Sequence, residues 1–258
     1  MQRETDSPDQ LCIAPAQRGL RYTFAAMNVE LLPNIRFQPA SDQSLLVHFG
    51  QEISLETHRE IVSFLKLLEA EPLRGIVNLH PAYCSVLVRF DALHFTHAEI
   101  EQQLAPYLGR LHEFGEPKPR LREISVCYGG DHGADLAEVA SLHAISVEEV
   151  IRIHCSAEYF VYFLGFVPGF AYLGGLPREL ETPRLPSPRK KVPAGSVAIG
   201  GNQTGVYPIS TPGGWRLIGQ TPIKLFRPES EEKSFLAIGD RVRFLPISAQ
   251  KFDELAAA

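Results

Sequence analysis

The sequence predicts two folded halves: an α+β sandwich with the element order ββαββα, followed by a mainly-β barrel. Three observations predict this. Between residues 35 and 108, two pairs of strand-like runs are each followed by an amphipathic helix. Between Gly165 and Pro222 lie 11 of the chain's 20 glycines and 9 of its 20 prolines, yet Val, Ile, Phe and Tyr persist there in short blocks. Disordered segments of that composition lack such residues, whereas short strands joined by Gly/Pro turns build barrels and sandwiches. Between the halves stands "GEPKPR" (Gly115–Arg120), where prolines deny backbone donors and charges favour water, as in a linker.

Residues 1–27 are polar and irregular, and read as a disordered tail or as sequence ahead of a true start at Met27. The first strands are "IRFQP" (Ile35–Pro39) and "SLLVHF" (Ser44–Phe49). "SLETHREIVSFLKLLEA" then sets Ile61, Phe64, Leu65 and Leu68 at helical spacing, with Ser54 as N-cap. The strands "GIVNLH" and "SVLVRF" follow, and "THAEIEQQLAPYL" opens with the capping box Thr96-x-x-Glu99. Strand runs with helices on one face make a ferredoxin-like α+β sandwich, assigned to residues 28–116. The second half, residues 117–250, begins with the strand "EISVCY". It continues through the helices "DLAEVASLH" and "SVEEVIRIH", the latter opened by Ser146-x-x-Glu149. The blocks "SVAIGG", "GVYPIS", "WRLIG" and "IKLF" read as strands, and "FLAIGDRVRFLPI" as a hairpin turning at Gly239-Asp240. Residues 251–258 read as a C-terminal tail.

Bulk properties narrow the function. A net charge of −5 and a pI near 6.0 argue against nucleic acid as a partner, because phosphate binding needs a basic surface. No apolar run reaches the ~20 residues that span a bilayer, and the N-terminus has no apolar core of a signal peptide. Cys12, Cys84, Cys127 and Cys155 are widely spaced, which predicts reduced thiols and a cytoplasmic protein without a membrane partner. His94 and His97 lack carboxylate or cysteine company, so no metal site is expected.

The chain has no G-x-x-x-x-G-K-[ST] loop for ATP and no G-x-S-x-G nucleophile elbow. Its only methionines, Met1 and Met27, do not flank a lysine, so it carries no biotin attachment site. Three clusters remain. In "VYFLGFVPGFAYLGGLP", Gly165, Phe166, Pro168, Gly169, Phe170 and Tyr172 make either packing at a barrel end or the wall of a pocket or partner surface. In "TPRLPSPRKKVPAGS", prolines stiffen a loop carrying Arg184, Arg189 and Lys191, either a solvated basic turn or a preorganised anion clamp. In "GGNQTGVYPISTPGGWRLIG", Gly201, Gly205, Gly213 and Gly214 can turn N–H groups inward as an anion nest. Gln203 and Thr204 add donors there and Trp215 adds a wall; the alternative is two tight turns.

These blocks, with "LLVHFG" and "PAYCSVLVRFD" in the first half, resemble the signature blocks of the KipI/allophanate hydrolase subunit 1 family, whose widespread bacterial members are the B-type subunits of 5-oxoprolinase. The similarity runs from Asn28 to about Ile247. Two departures stand out: "CYGGDHGADL" carries Asp131 and His132 where the family has Glu and an aromatic ring, and Ser41-Asp42 replaces the usual Gly-Asp. The resemblance implies a small α+β N-terminal domain, a cyclophilin-like C-terminal barrel and three possible activities. One is a subunit of ATP-dependent 5-oxoprolinase, which opens the lactam of 5-oxoproline to glutamate with two other subunits, of A and C type; the missing P-loop and nucleophile–base pair predict that this chain is inactive alone. Another is an inhibitor that binds a sensor histidine kinase. The third is a carboxyltransferase-type subunit of urea metabolism. The resemblance assigns no catalytic residue, and ATP enters at the level of the complex.

Overall fold

The computed structural model describes residues 34–113 and 119–257. The polar tail 1–27 lies outside the described residues, as do positions 115–118 of the expected linker.

The first half contains β1 (Arg36–Ser41), β2 (Ser44–His48), α1 (Leu55–Ala70), β3 (Ile76–Pro81), β4 (Ser85–Phe90) and α2 (His97–Leu108). The four strands form one antiparallel sheet in the order β1-β2-β4-β3. Residues two apart on a strand share a face, so Leu45 and Val47 pair with Val88 and Val86 on the same side. That side is buried beneath Ile61, Phe64, Leu67 and Leu68 of α1 and Ile100, Leu104 and Leu108 of α2. Leu65 lies at the edge of this core and Leu67 takes the deeper place. Both helices begin at their expected caps. Ser54 accepts from the Thr57 N–H, and Thr96 and Glu99 close a reciprocal capping box.

The second half contains β5 (Leu121–Tyr128), α3 (Leu136–Leu142), α4 (Val147–Ser156), β6 (Tyr159–Leu164), β7 (Ala171–Gly174), β8 (Arg189–Val192), β9 (Ser196–Gly200), β10 (Gln203–Val206), β11 (Thr211–Gly213), β12 (Arg216–Gln220), β13 (Arg241–Pro246) and α5 (Ala249–Ala256). Seven strands close a barrel in the order β10-β7-β6-β13-β5-β12-β9, and β8 and β11 pair beside it. Closure leaves the barrel no unpaired edge. Its interior holds a separate core that includes Val126, Tyr159, Val161, Ile199, Ile218 and Phe244.

Three expectations need correction here. Gly239-Asp240 is a turn, but it joins no hairpin. β13 pairs parallel with β5 and antiparallel with β6, and no strand forms over 235–238. The turn docks on β6 instead: Gly239 N–H donates to the Val161 carbonyl (2.9 Å), and Val161 N–H donates to the Asp240 carbonyl (2.9 Å). The Asp240 carboxylate takes the Ala237 N–H (2.8 Å) and both arms of Arg120 (2.9 and 3.0 Å). "IKLF" is likewise no strand; only Phe226 makes an isolated bridge, to Ser234. The supposed C-terminal tail is helical through Ala256, with Ser248 accepting from Lys251 N–H as its cap.

The two cores meet at a joint. Ile238 packs on the first core, while His58 and Tyr83 set their rings edge-on against Tyr162 of β6 at 5.1 and 5.3 Å.

Candidate functional site

The β6–β7 hairpin pairs Phe163 with Tyr172 and Leu164 with Ala171. Its connection, Gly165–Phe170, is tied by Phe170 N–H to the Val167 carbonyl (3.0 Å) and by Gly165 N–H to the Phe170 carbonyl (3.1 Å). Gly169 has φ +81°, and a Cβ there would stand 2.8 Å from Cβ of Phe226, so only glycine fits. Phe166 has φ 69° although it carries a large side chain, and it is 59% exposed. Such a backbone costs a bulky residue about 1–3 kcal/mol and is found where function holds it. Phe166 meets Phe170 at 5.6 Å, and Phe170 in turn meets Tyr172, Tyr207 and Trp215 at 5.1, 5.5 and 5.7 Å.

Glycines let these rings sit on the barrel wall. A Cβ on Gly200 would lie 2.5 Å from the Trp215 ring, and one on Gly205 would lie 3.2 Å from both Phe170 and Trp215. A Cβ on Gly213 would reach the Tyr207 oxygen at 2.4 Å. Of the four glycines read as an anion nest, only Gly201 has a positive φ, 67°. Its N–H is already spent on the Thr182 carbonyl (2.8 Å).

The result is a cleft of about 330 Å³. Phe166, Phe170, Tyr172, Arg184, Gly213, Gly214 and Trp215 converge on it from all three sequence clusters, joined by Leu185, Pro188, Tyr207 and Pro212. The Arg184 loop is held from below by Leu185 N–H to the Gly214 carbonyl (2.7 Å) and Arg216 Nε to the Pro183 carbonyl (3.3 Å). The Arg184 guanidinium lies 5.7 Å from the centre of the Trp215 ring, a cation–π contact. It makes no ion pair with a described residue, whereas its neighbour Arg216 pairs with Glu138.

The other sequence candidates lie outside the cleft lining. Arg189 Nη2 binds the buried Asp135 carboxylate at 2.6 Å, and the same carboxylate takes the Leu217 N–H at 2.6 Å. Asp135 thus joins β8 to β12, and Nη1 of Arg189 is left buried without a partner. Lys191 is exposed on β8, Gln203 is half-buried, and Pro168 is exposed on the β6–β7 loop. Thr204 points into the barrel interior, where it donates to the Ala198 carbonyl (3.0 Å). His132 bonds Gln220 (2.9 Å) and meets the Phe252 ring of α5 at a tilt, 4.3 Å between centres.

Tyr207 is the residue that sequence reading misses. It follows Val206 in a strand-like block, and its phenol looks like core. The ring is buried, and burial raises the phenol pKa above its ordinary value. The Arg184 and Arg189 charges offset part of that rise. Behind the cleft, Tyr83 packs edge-on against Phe163 (4.8 Å), and its hydroxyl is buried with no partner.

The fold and the site thus define a closed barrel that bears an aromatic cleft, with one guanidinium unpaired among the described residues. Residues 35–236 match the family described as carboxyltransferase domain, subdomain C and D, and the chain belongs to this family, that of KipI and allophanate hydrolase subunit 1. It is 41% identical over 230 residues to the 5-oxoprolinase B subunit of Bacillus subtilis (strain 168), covering 84% of this chain and 96% of that one. It is 57% identical over 131 residues to the 5-oxoprolinase B subunit of Escherichia coli O157:H7, covering 51% of this chain and 60% of that one. Among solved structures, TTHA0988 superposes with a TM-score of 0.71 at 35% identity. The match covers 80% of this chain and 40% of that longer one. Among the described residues, no helix is long and apolar enough to cross a membrane, and no group of three or more His, Cys, Asp or Glu could hold a metal.

Proposed function

We propose that the chain is one subunit of an ATP-dependent 5-oxoprolinase of the cytoplasm, working with subunits of A and C type on 5-oxoproline. The observation that carries this reading is the cleft itself, where a single unpaired guanidinium stands over aromatic walls. That combination suits a small flat acid. Likeness along nearly the whole length of the B. subtilis protein supports the same reading. In architecture, the β1-β2-β4-β3 sheet fits a ferredoxin-like sandwich in the described part of residues 28–116, and the closed seven-stranded wall fits a cyclophilin-like barrel in the described part of residues 117–250.

Opening an unstrained lactam with ATP is served by phosphorylating the lactam oxygen, with release of ADP. Water then adds to the activated carbon, the ring C–N bond breaks as the nitrogen takes a proton to give γ-glutamyl phosphate, and a second water displaces the phosphate to give glutamate. Such a route needs fixed cations and donors around developing charge more than it needs a nucleophile on this chain. No nucleophile–base pair lines the cleft among the described residues. The chain alone is therefore expected to release no ADP in response to 5-oxoproline. Co-expression with its two partner subunits should give 5-oxoproline-dependent ADP release, and omitting this chain should abolish it. Turnover by the isolated chain, or full turnover without it, would refute the reading.

A second reading is favoured by one observation, the exposed Phe166 beside exposed Pro168 on the rim. Such a knob suits a protein partner, as a histidine-kinase inhibitor requires. Inhibition of kinase autophosphorylation by the isolated chain would support it. The third reading, a carboxyltransferase-type subunit of urea metabolism, needs biotin supplied by another chain.

A further inference from the structure

The structure assigns the cleft a two-point carboxylate clamp, Arg184 and the Tyr207 hydroxyl, so that its ligand is a flat ring acid bound as a monoanion. The identity of that acid as 5-oxoproline rests on the oxoprolinase reading; the clamp adds which atoms hold it.

Four observations carry the inference. Arg184 is the only charged residue among the described lining of the cleft, and it has no carboxylate of its own. The guanidinium fork matches the spacing of two carboxylate oxygens, and its cation–π contact with Trp215 holds it over the cleft wall. The Tyr207 hydroxyl stands against Gly213 in the cleft lining, and its proton finds no acceptor among the described residues. Finally, the positive charges of Arg184 and Arg189 both bear on that oxygen, and Nη1 of Arg189 is buried without a partner among the described residues. Asp135 satisfies only the other nitrogen of Arg189.

The walls determine the rest of the ligand. Phe170 meets Tyr172 and Trp215 edge-on at 5.1 and 5.7 Å, so the wall is a continuous aromatic surface that suits a flat ring better than a highly charged group. The volume of about 330 Å³ stands at the low end of ligand clefts, which run from about 300 to 1,000 Å³. A ring acid fits such a space, while a triphosphate would ask one arginine to offset several charges. ATP is accordingly assigned to another chain of the complex. With the carboxylate on Arg184 and Tyr207, the reacting lactam bond is left toward the mouth, beside Phe166, where a partner subunit can reach it.

Trp215 is the sole tryptophan, so its fluorescence reports the cleft directly in the full-length chain. Titration with 5-oxoproline should give a saturable change. The same lactam without its carboxylate, 2-pyrrolidinone, should bind at least about tenfold more weakly, as loss of a charge-assisted hydrogen bond implies. Arg184→Gln and Tyr207→Phe should each weaken 5-oxoproline by about tenfold with an unchanged circular dichroism melt. Calorimetry of the same titrations guards against a direct effect of Arg184 on the indole. A cyclopentanecarboxylate titration matching that of 5-oxoproline would support the clamp and remove its selectivity for the lactam. The clamp is overturned if 2-pyrrolidinone binds as well as 5-oxoproline, if both variants bind as the parent does, or if no ligand gives a saturable response. Failure of the ADP-release assay with binding intact would instead sink the enzymatic reading and leave the clamp standing.

Discussion

His154 shows how far a single residue departs from its appearance in sequence. It closes "SVEEVIRIH" and reads as an ordinary helix-end histidine. In the fold it is fully buried, stacked on Phe244 at 4.6 Å, and every polar atom around it is committed. Thr204 donates to the Ala198 carbonyl (3.0 Å) and therefore accepts from His154 Nε2 (3.0 Å). Nδ1 then accepts the Tyr128 hydroxyl (2.7 Å), whose oxygen takes the Cys155 thiol (3.4 Å). Burial alone lowers the His154 pKa to about 3, and burial aided by Arg59 lowers that of His58 to about 4. The unfolded chain binds these protons near pH 6.5 and the folded chain does not, so stability is complete above pH 6.5 and falls as pH drops toward 4 and 3. Each histidine contributes at most about 1.4 kcal/mol per pH unit in that window. Thermal melts from pH 7.5 to 4.5 should show this decline. His154→Gln should melt lower at pH 7, by about 2–3 kcal/mol for a broken buried network, but show a shallower decline. A melt independent of pH over this range would contradict the buried neutral imidazole. Thr204 reads in sequence as a ligand donor because hydroxyls beside glycines suit anion sites, and nothing local in the sequence says that β10 turns this hydroxyl inward.

At the scale of elements, legibility follows range. The helices are readable because caps and apolar spacing are local: Ser54, Thr96 and Ser146 all accept the N–H three residues on. The hairpin expected at Gly239 fails because β13 finds its partner β5 about 120 residues earlier, through pairs such as Phe244 with Ile124. The β6–β7 loop is recognisable as special from its glycines and aromatics, but which residue bears the strain is not. Gly169 is an obvious candidate for a left-handed backbone; Phe166 is not, since bulky residues avoid that region. The strain yields a prediction of opposite signs. Phe166→Gly should leave stability unchanged or raise it by up to about 1 kcal/mol, because glycine accepts φ 69° freely. It should also weaken association with the partner subunits or the turnover of the complex severalfold, since the exposed ring is what the strain presents. Co-purification and a melt on the same variant read both effects. A destabilised loop with normal assembly would show that Phe166 serves packing alone.

At the scale of the molecule, two cores meet at an aromatic joint, and that joint lies directly behind the cleft. From the sequence, the barrel is legible, because composition changes sharply after Tyr159. The contact between the two cores is not, because it depends on Tyr83 in a β3–β4 turn meeting Tyr162, Phe163 and Tyr172 of the β6–β7 hairpin. Tyr83 carries the sandwich into the back wall of the site through Phe163, which stacks on Tyr172 at 4.4 Å. Its hydroxyl contributes nothing to that contact: it is buried without a partner, and burial raises its pKa far above the ordinary range. Ring and hydroxyl can therefore be separated. Tyr83→Phe keeps the ring and removes an unsatisfied group, so stability should hold or rise by about 1 kcal/mol, with 5-oxoproline binding unchanged. Tyr83→Ala opens a hole among three aromatic rings, so it should cost about 3 kcal/mol and weaken binding, because Tyr172 loses its support. Chemical denaturation and the Trp215 titration together distinguish the two variants. A Phe variant less stable than the parent would mean that the hydroxyl has a partner after all. An Ala variant that binds normally would mean that the sandwich half does not brace the cleft.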